Sequence, residues 1–370
     1  MRAGAPAPDP APLLTLVEEL PAEDLEEGSD IWAYQVTEAL RRQTPVVARV
    51  TRPGRALVAP AARFLGVRAA VRQASNEGGR RPRAALYVPA GRMVTRWALL
   101  RARYLRSSLG APVAMAAFHE GLSEAASKWA PDLMLLTTQA ACQEAERSGI
   151  RAELIWSGAD TARFRPPRAG EKLELRRKWG IDPDSYVVFH VGHLFENRNL
   201  RALVPLAAEP GVSVLVLASH YRREPESSTL CRHLEEGGVR LLFGHRPDLE
   251  EIYRLADCYV FPTVDHGGAV ATPLSVVEAK ASGLPVVARR FRALGERVGR
   301  ELQIDLVDSD QELRALVLAF KQGSARPAAA DSALPEAFSW DGVARRLLEL
   351  IDGAQTAPAT GPPIRTGSLP

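Results

Sequence analysis

Thr272, Pro273, Leu274, Ser275 and Glu278 stand within the stretch PTVDHGGAVATPLSVVEAKASGLPVVA at residues 262–288. Thr is a good helix cap, Pro suits the first helical position, and the amides that follow point outward at the positive end of the helix dipole. Such a helix end holds an anion, and a diphosphate is its natural guest. Glu278 lies one turn beyond Ser275 on nearly the same face, so its carboxylate can accept hydrogen bonds from two vicinal hydroxyls of a ribose. The combination reads as a nucleotide site, with a sugar attached to the nucleotide.

The elements that must position these residues follow from the hydrophobic pattern. Apolar runs alternate with helical patterns along the whole chain, which predicts an α/β protein built on parallel sheets with helices on both faces. In the first half, strands are expected over 13–20, 45–50, 84–88, 112–118 and 133–137, with helices near 30–42, 92–107 and 139–148. In the second half, strands are expected over 186–191, 213–218, 239–243, 258–262 and 285–288, with helices near 200–208, 248–255, 273–281 and 310–321. A last helix is expected over 343–351, and the Pro-, Gly- and Thr-rich tail of 353–370 reads as disordered. A chain of 370 residues is about twice the size of one ordinary folding unit, so two domains are expected.

Composition narrows the surroundings. The three cysteines, Cys142, Cys231 and Cys258, are far apart and lack any metal-ligand spacing, which points to reduced thiols in a cytoplasmic protein and to no structural metal. No apolar run approaches the roughly 20 residues that cross a bilayer, so the chain is expected to be soluble or peripheral to a membrane. The formal charge of +3 hides an uneven distribution: Met1 to Leu40 hold nine acids and one base, whereas Arg41 to Arg106 hold sixteen Arg and a single acid, Glu77. A basic face on the first domain follows, suited to a phosphorylated acceptor, a nucleic acid or an anionic membrane surface. Arg92, Arg96 and Arg103 can share one helical face, with Trp97, Leu100 and Tyr104 on another.

The run Glu278-Ala279-Lys280-Ala281-Ser282-Gly283-Leu284-Pro285-Val286-Val287 resembles the signature of the retaining glycosyltransferases of family 4, the glycosyl transferases group 1. Three further segments are similar to that family: Val191-Gly192-His193-Leu194 running to Arg198-Asn199, Glu27-Gly28-Ser29-Asp30 before the first helix, and Ile155 to Pro166 at the expected junction. The resemblance implies a GT-B fold, in which two Rossmann-like domains face each other across a cleft. It divides the chain into an acceptor-side domain (1–156), a nucleotide-sugar-binding domain (157–330), a helix that crosses back to the first domain (331–352) and a disordered tail (353–370). It implies a metal-independent hexosyltransferase without a resident cofactor, moving a sugar from a nucleoside diphosphate donor to an acceptor. Arg198 and His193 would neutralise the diphosphate, with His119 at the donor sugar. Gly28, Gly192, Thr272, Pro273, Leu274 and Ser275 would line the donor, Gly244 and His245 would meet the base, and Glu278 the ribose. Eight residues before Glu278, where the family carries an earlier Glu that helps hold the donor sugar, stands Val270.

Other readings stay open on the sequence. A sugar-nucleotide epimerase of the same fold binds the same donor but needs acid/base carboxylates in the cleft. A non-catalytic nucleotide-sugar binder or scaffold accommodates Val270 and His193. A nucleic-acid-binding protein fits the Arg-rich region but lacks an interleaved aromatic-basic motif.

Overall fold

The computed structural model describes residues 11–20, 28–53, 60–76, 80–90, 94–118, 129–218, 225–244, 248–265, 269–328 and 333–355. The first unit runs β1 (Leu13–Leu20), α1 (Gly28–Arg41), β2 (Val46–Pro53), α2 (Pro60–Asn76), β3 (Ala84–Val88), α3 (Arg96–Leu109), β4 (Val113–Ala117), β5 (Leu133–Leu136), α4 (Gln139–Arg147) and β6 (Ala152–Leu154). The second runs α5 (Glu171–Lys178), β7 (Tyr186–Gly192), α6 (Val204–Ala207), β8 (Val212–Ala218), α7 (Pro225–Glu236), β9 (Arg240–Phe243), α8 (Leu249–Leu255), β10 (Cys258–Phe261), α9 (Leu274–Ala281), β11 (Val286–Arg289), α10 (Arg297–Glu301), β12 (Asp305–Val307) and α11 (Asp310–Gln322). The chain closes with α12 (Trp340–Gln355).

Both sheets have six strands and every pairing is parallel, in the orders β2-β1-β3-β4-β5-β6 and β12-β11-β10-β7-β8-β9. Strands covered on both faces have no polar side to present, so β3, β4 and β5 are buried at every residue. The helices start on local signals. Thr95 accepts from the Ala98 amide at 3.2 Å to begin α3, and the Ser309 hydroxyl accepts from Glu312 to begin α11.

In the second sheet the strand order reverses between β7 and β10, and in the first between β1 and β3. In open parallel sheets the crevice outside the carboxyl ends of the strands at such a reversal is where ligands bind. The carboxyl edges of the two sheets face each other, because Gly28 at the start of α1 lies against Val270 and Leu274 just before and within α9.

The last helix belongs to the first unit's core. Trp340, Val343, Ala344, Leu347, Leu350 and Ile351 pack with Trp32, Val36 and Leu40 of α1. Six apolar side chains removed from water contribute roughly 10 kcal/mol of gross transfer energy. The last turn reaches Gln355, so the first residues of the expected disordered tail, 353–355, are helical. Residues 356–370 lie outside the described residues.

Candidate functional site

At the carboxyl end of β7 the backbone turns at Gly192 into His193, Leu194 and a single 3-10 turn, Glu196–Arg198. A Cβ on Gly192 would stand 2.8 Å from Nη1 of Arg198 and 3.2 Å from Nε2 of His190. Glycine therefore serves close approach here, admitting the guanidinium over the strand end. The loop is pinned by Asn199, which adopts a left-handed conformation at φ 56° and donates from Nδ2 to the Pro262 carbonyl at 3.2 Å and to Asp310 at 3.0 Å. Asn tolerates that backbone region better than most residues, and its two bonds tie the Arg198 loop to the end of β10.

Helix α9 approaches the same sheet edge. The amides of Val276 and Val277 both turn back to the Pro273 carbonyl, at 3.1 and 3.4 Å, while the amides of Leu274 and Ser275 have no acceptor among the described residues. These two half-buried amides at the positive end of the helix form an anion-holding pair. The expected cap is corrected. Pro273, with φ −63° and ψ 129°, occupies the capping position, so Thr272 lies one residue further out. Thr272 is buried, its hydroxyl without a hydrogen-bond partner, and its carbonyl accepts from Ser157 at 2.8 Å. The ψ of Pro273 is extended rather than helical, so the helix begins one residue later than the Thr-Pro signal suggests.

Glu278 faces Tyr253 of α8, whose hydroxyl lies 3.0 Å from Oε2 of Glu278 and 3.2 Å from the Ser275 carbonyl. Desolvation lifts the Glu278 carboxyl to about 7, against the opposing hydrogen bond from Tyr253 and the charge of Arg163. A carboxyl so poised gains most from ligand hydroxyls, because each donated bond stabilises its charged form. The Tyr259 hydroxyl of β10 donates to the Val191 carbonyl at 3.5 Å, beside the same strand end. Tyr253 sits in the packed face of α8, as the sequence pattern indicates, with its ring against Phe164, Phe189 and Tyr259; its hydroxyl also orients Glu278.

Gly28 faces a different neighbour from the one expected. A Cβ there would meet the Val270 methyls at 3.2 and 3.4 Å and Leu274 at 3.7 Å, so the glycine admits the amino end of α9 and an apolar wall rather than open cleft. Gly244 follows edge strand β9 with φ 88°, which explains its type, and is exposed. His193 is half-buried, its ring 5.5 Å from that of Phe195. His119 and His245 lie outside the described residues.

Two residues of this edge escaped the sequence reading. His190 of β7 is fully buried; Nδ1 is paired with the Val260 carbonyl at 2.9 Å and Nε2, toward Gly192 and Arg198, has no partner. Burial first, and the nearby Arg198 charge, hold its pKa down to about 3, so it stays neutral. Thr263, just past β10, is buried with an unpaired hydroxyl. A polar residue inside the apolar run Tyr186–Gly192 was the available signal for His190. Buried polar atoms without partners are rare and mark places where a further group belongs. No cluster of metal-ligating side chains occurs among the described residues.

This architecture is the GT-B fold. HepE of Anabaena, solved with UDP and with UDP-glucose, superposes at a TM-score of 0.68 with 16% identity over 92% of this chain and 99–100% of its own. Residues 185–320 match the family glycosyl transferases group 1. D-inositol 3-phosphate glycosyltransferase of Corynebacterium urealyticum is 28% identical over 254 residues, 62% of this chain and 59% of that protein. Lipopolysaccharide core biosynthesis mannosyltransferase LpsB of Rhizobium meliloti is 31% identical over 192 residues, 48% of this chain and 53% of that protein. The chain thus spans about half the length of the curated relatives it matches.

Proposed function

We propose that the protein is a retaining glycosyltransferase that moves a hexose from a nucleoside diphosphate sugar to an acceptor bound between the two sheets. The observation that carries this reading is the convergence, at one strand-order reversal, of the open Leu274 and Ser275 amides with the Arg198 guanidinium seated over Gly192. The amides, Arg198 and His193 hold the diphosphate. Glu278, oriented by Tyr253, accepts the ribose hydroxyls, and the end of β9 at Gly244 meets the base.

Negative charge grows on the diphosphate oxygen as the glycosidic bond breaks, and fixed positive groups in a water-poor crevice stabilise that charge by several kcal/mol. The acceptor hydroxyl attacks from the face the diphosphate leaves, and the departing oxygen takes its proton. No protein nucleophile and no metal enter this scheme. The reading draws support from HepE, solved with UDP and UDP-glucose, and from relatives named for sugar transfer.

A thermal-shift panel of UDP-, GDP- and ADP-sugars tests it. A bound donor at 100 times its dissociation constant stabilises by about 2.7 kcal/mol, and a flat response to every member rejects the site. A second reading, a donor binder without transfer, is favoured by Val270, which sets apolar methyls against Gly28 where the family carries a carboxylate. Donor binding without transfer or hydrolysis across an acceptor panel selects that reading.

A further inference from the structure

We propose that the outer face of α2 and α3 docks on an anionic lipid surface. Neither helix contains an acidic residue, and together they carry seven arginines: Arg63, Arg68, Arg72, Arg96, Arg101, Arg103 and Arg106. Three of these serve the fold. Arg101 and Arg63 pair with the buried Glu18, Arg63 also with Glu19 at 2.9 Å, and Arg106 with Asp132 at 3.1 Å. Arg68, Arg72 and Arg96 are exposed and have no acidic partner among the described residues. Their charge faces outward uncompensated.

The same face exposes apolar bulk. Leu65 is 63% and Trp97 51% exposed, among the largest exposures of any bulky apolar side chain in the described residues. Leu65, Arg68 and Arg72 follow each other at i, i+3 and i+7 along α2, and Trp97, Leu100 and Tyr104 do the same along α3. The Phe64 and Tyr104 rings, with centroids 4.8 Å apart, join the two helices into one surface. Both helices begin at the carboxyl edge of the first sheet, so Leu65, Arg96 and Trp97 lie at the cleft end of this face.

Charge complementarity selects an anion, and the apolar residues select which kind. Guanidinium forks pair with phosphate oxygens, and an amphipathic indole rests at the level of lipid headgroups. An exposed Leu gains nothing against a nucleic acid backbone, whereas at a bilayer surface it leaves water for the acyl boundary. This docking is independent of the glycosyltransfer reading, since it needs neither donor nor turnover.

Vesicle sedimentation tests it. The full chain is mixed with phosphatidylcholine vesicles, alone or with phosphatidylglycerol, at low and high salt. Salt-sensitive binding to the anionic vesicles only is expected. Arg68→Glu/Arg72→Glu/Arg96→Glu and, separately, Leu65→Ser/Trp97→Ser should each lower that partitioning by roughly tenfold or more, because each basic residue near the surface and each buried apolar group adds to it. A charge-matched control, Arg147→Glu/Arg177→Glu/Arg232→Glu, should bind as the parent does, and thermal melts verify that all variants are folded. No binding to anionic vesicles at low salt overturns the proposal, as does equal loss in the control. Equal affinity for heparin or duplex DNA, unaffected by Leu65→Ser/Trp97→Ser, overturns it too and assigns the face to a soluble polyanion.

Discussion

Glu278 is held in a place where it is costly to ionise, and the sign of that cost is testable. Its pKa rises from 4.5 to about 7 on folding, so between these values the folded chain keeps a proton that the unfolded chain releases. The stability tied to that proton is fully present below about 4.5 and is lost as pH rises through 7. Glu278→Gln removes the charge, so the ligand-free variant should be more stable than the parent at pH 8 by about 1–3 kcal/mol, with no gain at pH 4, in denaturant melts. Donor affinity should move the other way. Ribose hydroxyls bonded to a carboxylate favour its charged form, so the parent should bind donor more tightly at pH 8 than at pH 6, and the variant about tenfold more weakly at pH 8 without that pH dependence. Calorimetry at the two pH values decides. Arg198→Ala, which removes charge where the leaving group develops it, should lower turnover by about a hundredfold or more while changing donor affinity less. Comparison of kcat with donor Kd checks this.

Among the elements, the loop from Gly192 to Asn199 is held by close approach at its start and by two Asn199 hydrogen bonds at its end. A methyl at position 192 would meet the end of a flexible Arg198 side chain, which can shift. Gly192→Ala should therefore cost only about 1 kcal/mol of stability yet displace the guanidinium and reduce donor binding; melts and a thermal-shift titration together separate the two effects. Much of this scaffolding was legible in the sequence, because strands buried on both faces are continuous apolar runs; β1 and β3 fall where the pattern puts them. What was not legible has physical reasons. Strands β6 and β12 are three-residue edge strands, too short to show a period. Helix α2 is an Ala- and Arg-rich stretch with a weak apolar stripe, and its core face emerges only when Val67, Val71 and Ala74 meet the sheet. At the site, the anion-holding helix end and Glu278 could be read from residue type and spacing. The dual role of Tyr253, the neutral His190 and the contact of Gly28 with Val270 could not, since each depends on elements far apart in the chain.

At the scale of the whole molecule, the first unit is completed by the end of the chain. Leu347 is fully buried between α12 and the first sheet's layer. Leu347→Ala should cost about 2–5 kcal/mol, read as a lower melting temperature and faster proteolysis of the first unit. A chain ending before Ser339 would leave Trp32, Val36 and Leu40 uncovered and should aggregate; an unchanged melting temperature would refute that role for the helix. This crossing constrains movement as well as stability. The polypeptide passes between the units twice, and the passes run side by side: the Ala159 amide donates to the Phe338 carbonyl at 2.9 Å and the Trp340 amide to the Ala159 carbonyl at 3.3 Å. Two parallel cords stitched together behave like the pin of a door. They leave swinging about their common line as the easy mode and resist shear or twist, so any opening of the mouth between the sheets is steered along a single arc.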